Sequence, residues 1–221
     1  MLHLNQAETI ERCTTARGEL KLQRRHNDYE IISNGTFLMA TYNGESERLL
    51  VDTAVDACGK QHCSVLIGGL GVGYSLGAAV RHPLVAAVTV IEIEEHIIAW
   101  NRRELAPFSG NALADPKTNI IHADLLEWLP QTTAMFDVIC LDIDNGPDWT
   151  VFTSNDGLYE RNGLELLHDR LYEGGIVSFW SAAHSMEFQA RLETVFDHVQ
   201  MIGVKQPDRL ADDVIYVASR R

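Results

Sequence analysis

Residues 63–96 read CSVLIGGLGVGYSLGAAVRHPLVAAVTVIEIEEH, and this stretch decides the fold. A short apolar run ends in glycines, as a buried strand does when it enters a tight turn. The stretch YSLGAAVRH follows with helical character, and VAAVTVIEI is a second buried run, closed by Glu92. Strand, glycine loop, helix and strand make one parallel βαβ unit. Gly69, Gly71 and Gly73 give the spacing G-x-G-x-G, not the G-x-G-x-x-G of dinucleotide sites. Glycines there admit positive φ and let a ligand approach the backbone at a helix N-terminus.

Outward from this unit the alternation continues. TNIIHAD is a third strand and FDVICLDID a fourth, apolar enough to be buried on both faces. Residues 157–172 are expected to be helical, ending at Gly174-Gly175 before a fifth strand, IVSFWSA. A helix over MEFQARLETVF precedes two last strands, VQMIGVKQ and DDVIYVASR. Only a short connection separates these, so an antiparallel pair is predicted. Upstream, residues 3–16 read as a short helix. Residues 18–51 alternate apolar with polar around Asn-Asp and Asn-Gly pairs, which signals three or four antiparallel strands. Residues 47–59 have helical spacing and a stop at Gly59. The division expected is an N-terminal helix and β-hairpin segment, 1–58, and a Rossmann-like domain, 59–221.

Composition narrows the function. The chain carries 31 acidic and 18 basic residues, a net charge of −13, most of it after residue 60. Such a surface repels phosphate backbones, so nucleic acid is not expected as a partner; cations, polyamines included, are attracted. No apolar run reaches the roughly 20 residues that span a bilayer. The first residues lack a basic segment followed by an apolar one, so no leader is expected. Cys13, Cys58, Cys63 and Cys140 are scattered, which reads as reduced thiols in a cytoplasmic protein. No Cys/His spacing suggests a metal.

Carboxylates recur at the strand ends. Glu92, with Ile93 after it, stands about twenty residues past the glycine loop, where a carboxylate takes both hydroxyls of a ribose. Asp124, with Leu125 beside it, can read and stack a base. Asp142 and Asp144 follow the fourth strand and are candidates for a catalytic base. Residues one apart on a strand point to opposite faces, so one of the two reaches the substrate unless the loop has already begun. Tyr159, Trp149 and Trp180 are candidate walls of a substrate pocket, and His184 a weaker candidate for proton transfer. Open α/β sheets bind ligands beyond the carboxyl ends of their strands, so these residues should share one crevice.

The order GGLGVG, VIEIEEHIIAW, HADLLEWL and FDVICLDIDNGPDW resembles the spermidine synthase family, within the class I adenosylmethionine-dependent methyltransferase fold. That resemblance implies a mostly parallel sheet with an antiparallel last strand and a small N-terminal β-rich segment. It implies an adenosylmethionine or decarboxylated adenosylmethionine cofactor on Gly69, Gly71, Gly73, Glu92, Ile93, Asp124, Leu125 and Asp142. It also implies deprotonation of an attacking amine by Asp142. The family carries an aspartate inside its glycine loop, where this chain reads GGLGVG. It has a longer loop after the fourth strand. The expectation is therefore a methyltransferase acting on a small amine or metabolite. Aminopropyl transfer is the alternative, and a non-catalytic nucleoside-binding regulatory subunit a third reading. A nicotinamide oxidoreductase would share Glu92 and the glycines but leave Asp124 and the loop spacing unexplained. A homodimer built partly through residues 18–51 is expected, since sheet edges are commonly paired or covered.

Overall fold

The computed structural model describes residues 7–143, 145–148, 150, 152–206 and 211–220. Along the chain the elements are β1 (Glu8–Thr15), β2 (Gly18–Arg25), β3 (Asp28–Ser33), β4 (Thr36–Ala40), α1 (Glu45–Cys58), β5 (Cys63–Gly68), α2 (Tyr74–Arg81), β6 (Val85–Glu92), α3 (Glu95–Asn101) and α4 (Ala106–Ser109). There follow β7 (Thr118–His122), α5 (Leu125–Trp128), β8 (Phe136–Leu141), α6 (Asp156–Tyr159), α7 (Arg161–Asp169), β9 (Leu171–Ser181), α8 (Met186–Leu192), β10 (Asp197–Val204) and β11 (Asp213–Ser219).

The larger sheet has the order β10-β11-β9-β8-β5-β6-β7. The strands from β5 to β9 pair in parallel, while β11 runs antiparallel to both β9 and β10. This is the Rossmann-like α/β architecture that the alternation predicts, antiparallel last strand included. Successive side chains of a strand point to opposite faces, and both faces of this sheet are covered. Val65 and Ile67 of β5, with Val138 and Cys140 of β8, pack under α1 and α2. Leu66, Ile139 and Leu141 face the other way, among residues of α7, β9 and α8. Burial on both sides explains why these strands read as unbroken apolar runs.

The smaller sheet is the antiparallel meander β1-β2-β3-β4. Its buried face, Leu20, Leu22 and Ile31, joins the core formed by α1 and α2. Polar ties complete the docking. The Tyr74 hydroxyl donates to the Thr41 carbonyl, and Trp100 Nε1 donates to Glu11 at 3.1 Å. Helix α1 stops at Gly59 as expected and buries Leu50, Val51, Ala54 and Val55.

Two expected elements differ. The described part of residues 3–16 is strand, not helix. Thr9, Ile10, Thr14 and Thr15 are β-branched, and pairing of Thr15 with Gly18 through Glu8 with Arg24 outweighs the modest helical spacing. The helix expected over 157–172 divides at Glu160, whose ψ of 160° is extended, and gives way to β9 at Leu171. Gly174 and Gly175 lie inside that strand. Gly174 N–H donates to the Arg220 carbonyl and Arg220 N–H returns to Gly175, each at 2.8 Å. Pairing with the chain's last strand, a long-range term, overrides the local stop signal. No helix among the described residues is long and apolar enough to cross a membrane.

Candidate functional site

The strand order reverses beside β5, because the chain leaves β5 for β6 on one side and later enters β8 on the other. Loops at the carboxyl ends splay apart there and open a crevice. It spans about 1200 Å³ of free space, the open solvent at its mouth included. Its wall includes Gly69, Gly71, Glu92, Ile93, Asp124, Leu125, Asp142 and Trp180. Residues that stand far apart in sequence therefore share one cavity, as their positions at strand ends require.

One half of the crevice is built around backbone amides. Gly69 has φ 88°, and a Cβ on it would strike the Asp142 carbonyl, so only glycine lets the loop pass this close to the end of β8. Glu92 is buried. One carboxylate oxygen accepts Leu70 N–H and the other Glu94 N–H, both at 2.8 Å. Burial pushes its pKa up and these two amides act against that shift. The Ile93 carbonyl contacts His122 Nε2 at 2.9 Å. Asp124 caps α5, its Oδ1 accepting Leu126 N–H at 2.8 Å. Leu38 and Met39 of the small sheet form the facing wall. Arg17 closes this end: its guanidinium lies 3.8 Å from the centre of the Phe152 ring and donates to Ser154 Oγ and Asn155 Oδ1 at 3.1 and 3.2 Å.

The other half is acidic. Glu47 from the first turn of α1, Asp142 after β8 and Asp213 at the start of β11 all line it. Hydroxyls link them. Ser46 Oγ lies 3.0 Å from Glu47 Oε2 and 2.8 Å from Asp213 Oδ2, and Ser75 Oγ donates to Asp142 Oδ2 at 2.8 Å. Trp180 Nε1 donates to Ser46 Oγ at 3.0 Å, and Gln206 Nε2 to Asp213 at 2.6 Å. Burial, then the Asp142 charge, pushes the Glu47 pKa up to about 7. Asp142 is raised to about 6, by burial first and with Asp213 adding to it, against the Ser75 hydrogen bond. The buried Oδ1 of Asn43, also on the wall, has no hydrogen-bond donor among the described residues. A ligand that brings a cation and N–H donors would answer both features.

Some expected residues stand elsewhere. Gly73 is off the wall: it starts α2, donates to the Leu70 carbonyl at 2.7 Å and packs against Asn101 and Ser109. Tyr159 does not reach this crevice either. It is 3% exposed and packs edge-on to Phe188 at 5.5 Å between ring centres, in the core beneath α6. Its position as the last residue of the short helix α6 aims the ring into the apolar layer, where its area is best buried. His184 is exposed and contacts Gln189 at 3.1 Å. Asp144 and Trp149 lie outside the described residues. Reading the sequence by strand ends missed Glu47, Asp213, Asn43, Met39 and Arg17. A signal existed for Asp213: an antiparallel last strand begins at the edge where the parallel strands end.

A family model described as the spermine/spermidine synthase domain matches residues 49–203. The chain is similar to polyamine aminopropyltransferase 2 of Pseudomonas aeruginosa, 29% identical over 144 residues, which is 63% of this chain and 38% of that protein. It is similar to the spermidine synthase of Dictyostelium discoideum, 37% identical over 115 residues, 51% of this chain and 38% of that protein. These matches span about two fifths of the relatives' own length. Among solved structures, spermidine synthase from Thermotoga maritima aligns with a TM-score of 0.80 at 18% identity, covering 97% of this chain and 73% of that one. A spermidine synthase in complex with the transition state analogue AdoDATO gives the same score at 17% identity, over 100% and 80%. These likenesses carry the fold. With its family model spanning β5 through β10, the chain belongs to the spermine/spermidine synthase domain family.

Proposed function

We propose that this protein is an aminopropyltransferase, moving an aminopropyl group from decarboxylated adenosylmethionine to a primary amine. The observation that carries this reading is the two-part crevice, with strand-end carboxylates and glycines at one end and three carboxylates at the other. The named relatives that make the same kind of match are aminopropyltransferases and a spermidine synthase. That moves the weight from methyl transfer, the first expectation, to its alternative.

The residues fit such a cofactor. Gly69 and Gly71 stand on the crevice wall, Glu92 and Asp124 offer carboxylates to ribose and base, and the orphaned Asn43 Oδ1 awaits a donor. When bound, the cofactor supplies a sulfonium leaving group next to an electrophilic carbon. The protein then has two tasks. It holds the amine in line with that carbon, which lowers the barrier through positioning. Asp142 takes the proton lost by the amine nitrogen as the new C–N bond forms and the C–S bond breaks. Its raised pKa suits that exchange near neutral pH. Glu47 and Asp213 hold the amine substrate by charge, and Trp180 walls it on the β9 side. The homodimer remains part of this proposal, with β1 as an edge strand available for pairing; a monomeric mass at micromolar concentration would remove it.

The test is product analysis by mass spectrometry. The purified protein is incubated with a short diamine and either adenosylmethionine or its decarboxylated form. Methylthioadenosine release from the decarboxylated form is the expected result. Release of adenosylhomocysteine instead would restore methyl transfer. Nucleoside binding with no turnover on any amine would mark a non-catalytic binding subunit.

A further inference from the structure

Met39 comes from the small sheet, yet it sits on the glycine loop of the large one. Its Sδ accepts the N–H of Val72 at 3.1 Å, and its Sδ and Cε fill the space that a Cβ on Gly71 would enter. The neighbouring amides also have acceptors. Gly69 N–H donates to the Ile91 carbonyl, Leu70 N–H to Glu92, and Gly73 N–H to the Leu70 carbonyl. Asn101 Nδ2 holds the Gly71 carbonyl at 2.7 Å, fixing the loop in this form. A turn that opens a helix ordinarily offers its N–H groups to an anion. Here that offer is withdrawn at Gly69, Leu70, Val72 and Gly73, four of the five positions of the loop, and beyond it lie Asp142 and Glu47, carboxylates that repel another carboxylate.

We infer that Met39 is a specificity-determining residue: by covering the glycine loop and taking the Val72 amide, it excludes a cofactor tail that carries a carboxylate and admits one that ends in an ammonium. This rests on the proposed nucleoside site. A thioether is a weak acceptor, so the exclusion comes mainly from occupied space. Removing the side chain opens room beside an unsatisfied amide, which a carboxylate would fill.

The test compares two ligands that differ by one carboxylate. Adenosylmethionine and its decarboxylated form are titrated into the full chain by calorimetry, without acceptor amine, with methylthioadenosine as a tail-free control. The wild type should prefer the decarboxylated form by tenfold or more. In Met39→Ala the preference should shrink at least fivefold, with adenosylmethionine gaining affinity relative to methylthioadenosine, which reads out any loss of the nucleoside wall itself. Met39→Leu keeps the volume and loses the sulfur acceptor, so it should shrink the preference only two- to threefold, and it keeps the test alive if the alanine variant does not fold. An unchanged preference in the folded variants, or a wild type that binds both forms equally, overturns the inference. If none of the three nucleosides binds the wild type, the proposed function itself has failed, a separate outcome.

Discussion

The two halves of the crevice solve opposite electrostatic problems. At the β6–β7 end, Glu92 is buried but receives two backbone N–H groups, and Asp124 is anchored as a helix cap. At the β8–β11 end, Glu47, Asp142 and Asp213 are tied by serine hydroxyls and the Gln206 amide, with the Trp180 indole donating to Ser46 and a backbone N–H of Glu47 itself on the Glu47 carboxylate. The first half is organised before a ligand arrives. The second holds like charges in a partly desolvated space and is complete only with a cation in it. Amine recognition should therefore be the more pH-sensitive of the two near neutrality.

The sharpest division between the halves should come from Asp142. Asp142→Asn removes the proposed base and keeps an acceptor near Ser75. Turnover should fall by about 100- to 10,000-fold, the usual range for a positioned base. Nucleoside affinity, measured by calorimetry, should stay within about threefold. A parallel loss of nucleoside affinity would mean that the halves do not function separately.

Glu92→Gln should act on the other side of the comparison. An amide cannot accept with both ends, so Leu70 N–H or Glu94 N–H loses its partner, and a ribose diol loses a charged acceptor. Hydrogen bonds to charged groups are worth about 1.5–3 kcal/mol, so nucleoside affinity should drop roughly 10- to 100-fold. The amine KM, at saturating nucleoside, should barely move. A rise in that KM comparable to the affinity loss would count against the division.

The same contrast explains what could be read from the sequence. Glu92, Asp124 and Asp142 follow parallel strands, whose carboxyl ends must share an edge; three unbroken apolar runs and a glycine loop were enough to bring them together. Glu47 stands on the first turn of a helix expected from spacing alone, and nothing in that spacing shows that its N-terminus meets β8 and β11. Met39 and Arg17 act from a separate sheet, so their place depends on docking through Leu20, Leu22 and Ile31. Tyr159 illustrates the reverse error, since an aromatic near a site belongs more often to the core. Local patterns specify elements and edges; contacts between layers depend on packing that no short window encodes.

A smaller effect should separate the halves by pH. Glu47 is held near pKa 7, above the ordinary glutamate value of about 4.3. Between those values the unfolded chain has already lost this proton while the folded protein keeps it. Rising pH through that window therefore removes stability, and the loss is complete once the folded carboxyl ionises. Glu47→Gln has no such proton, so the Tm difference between variant and wild type should move in the variant's favour from pH 5 to pH 8. The expected movement is several degrees, given about 2–4 °C per kcal/mol for a chain of this size. Ligand binding carries the opposite sign. An ammonium prefers the ionised cluster, so wild-type amine affinity should rise with pH up to about 7, while methylthioadenosine affinity changes less. Differential scanning calorimetry and titration calorimetry over the same buffers measure both slopes. If amine affinity were flat, the cluster would not be the amine's counter-charge, and the contrast between the two ends of the crevice would be lost.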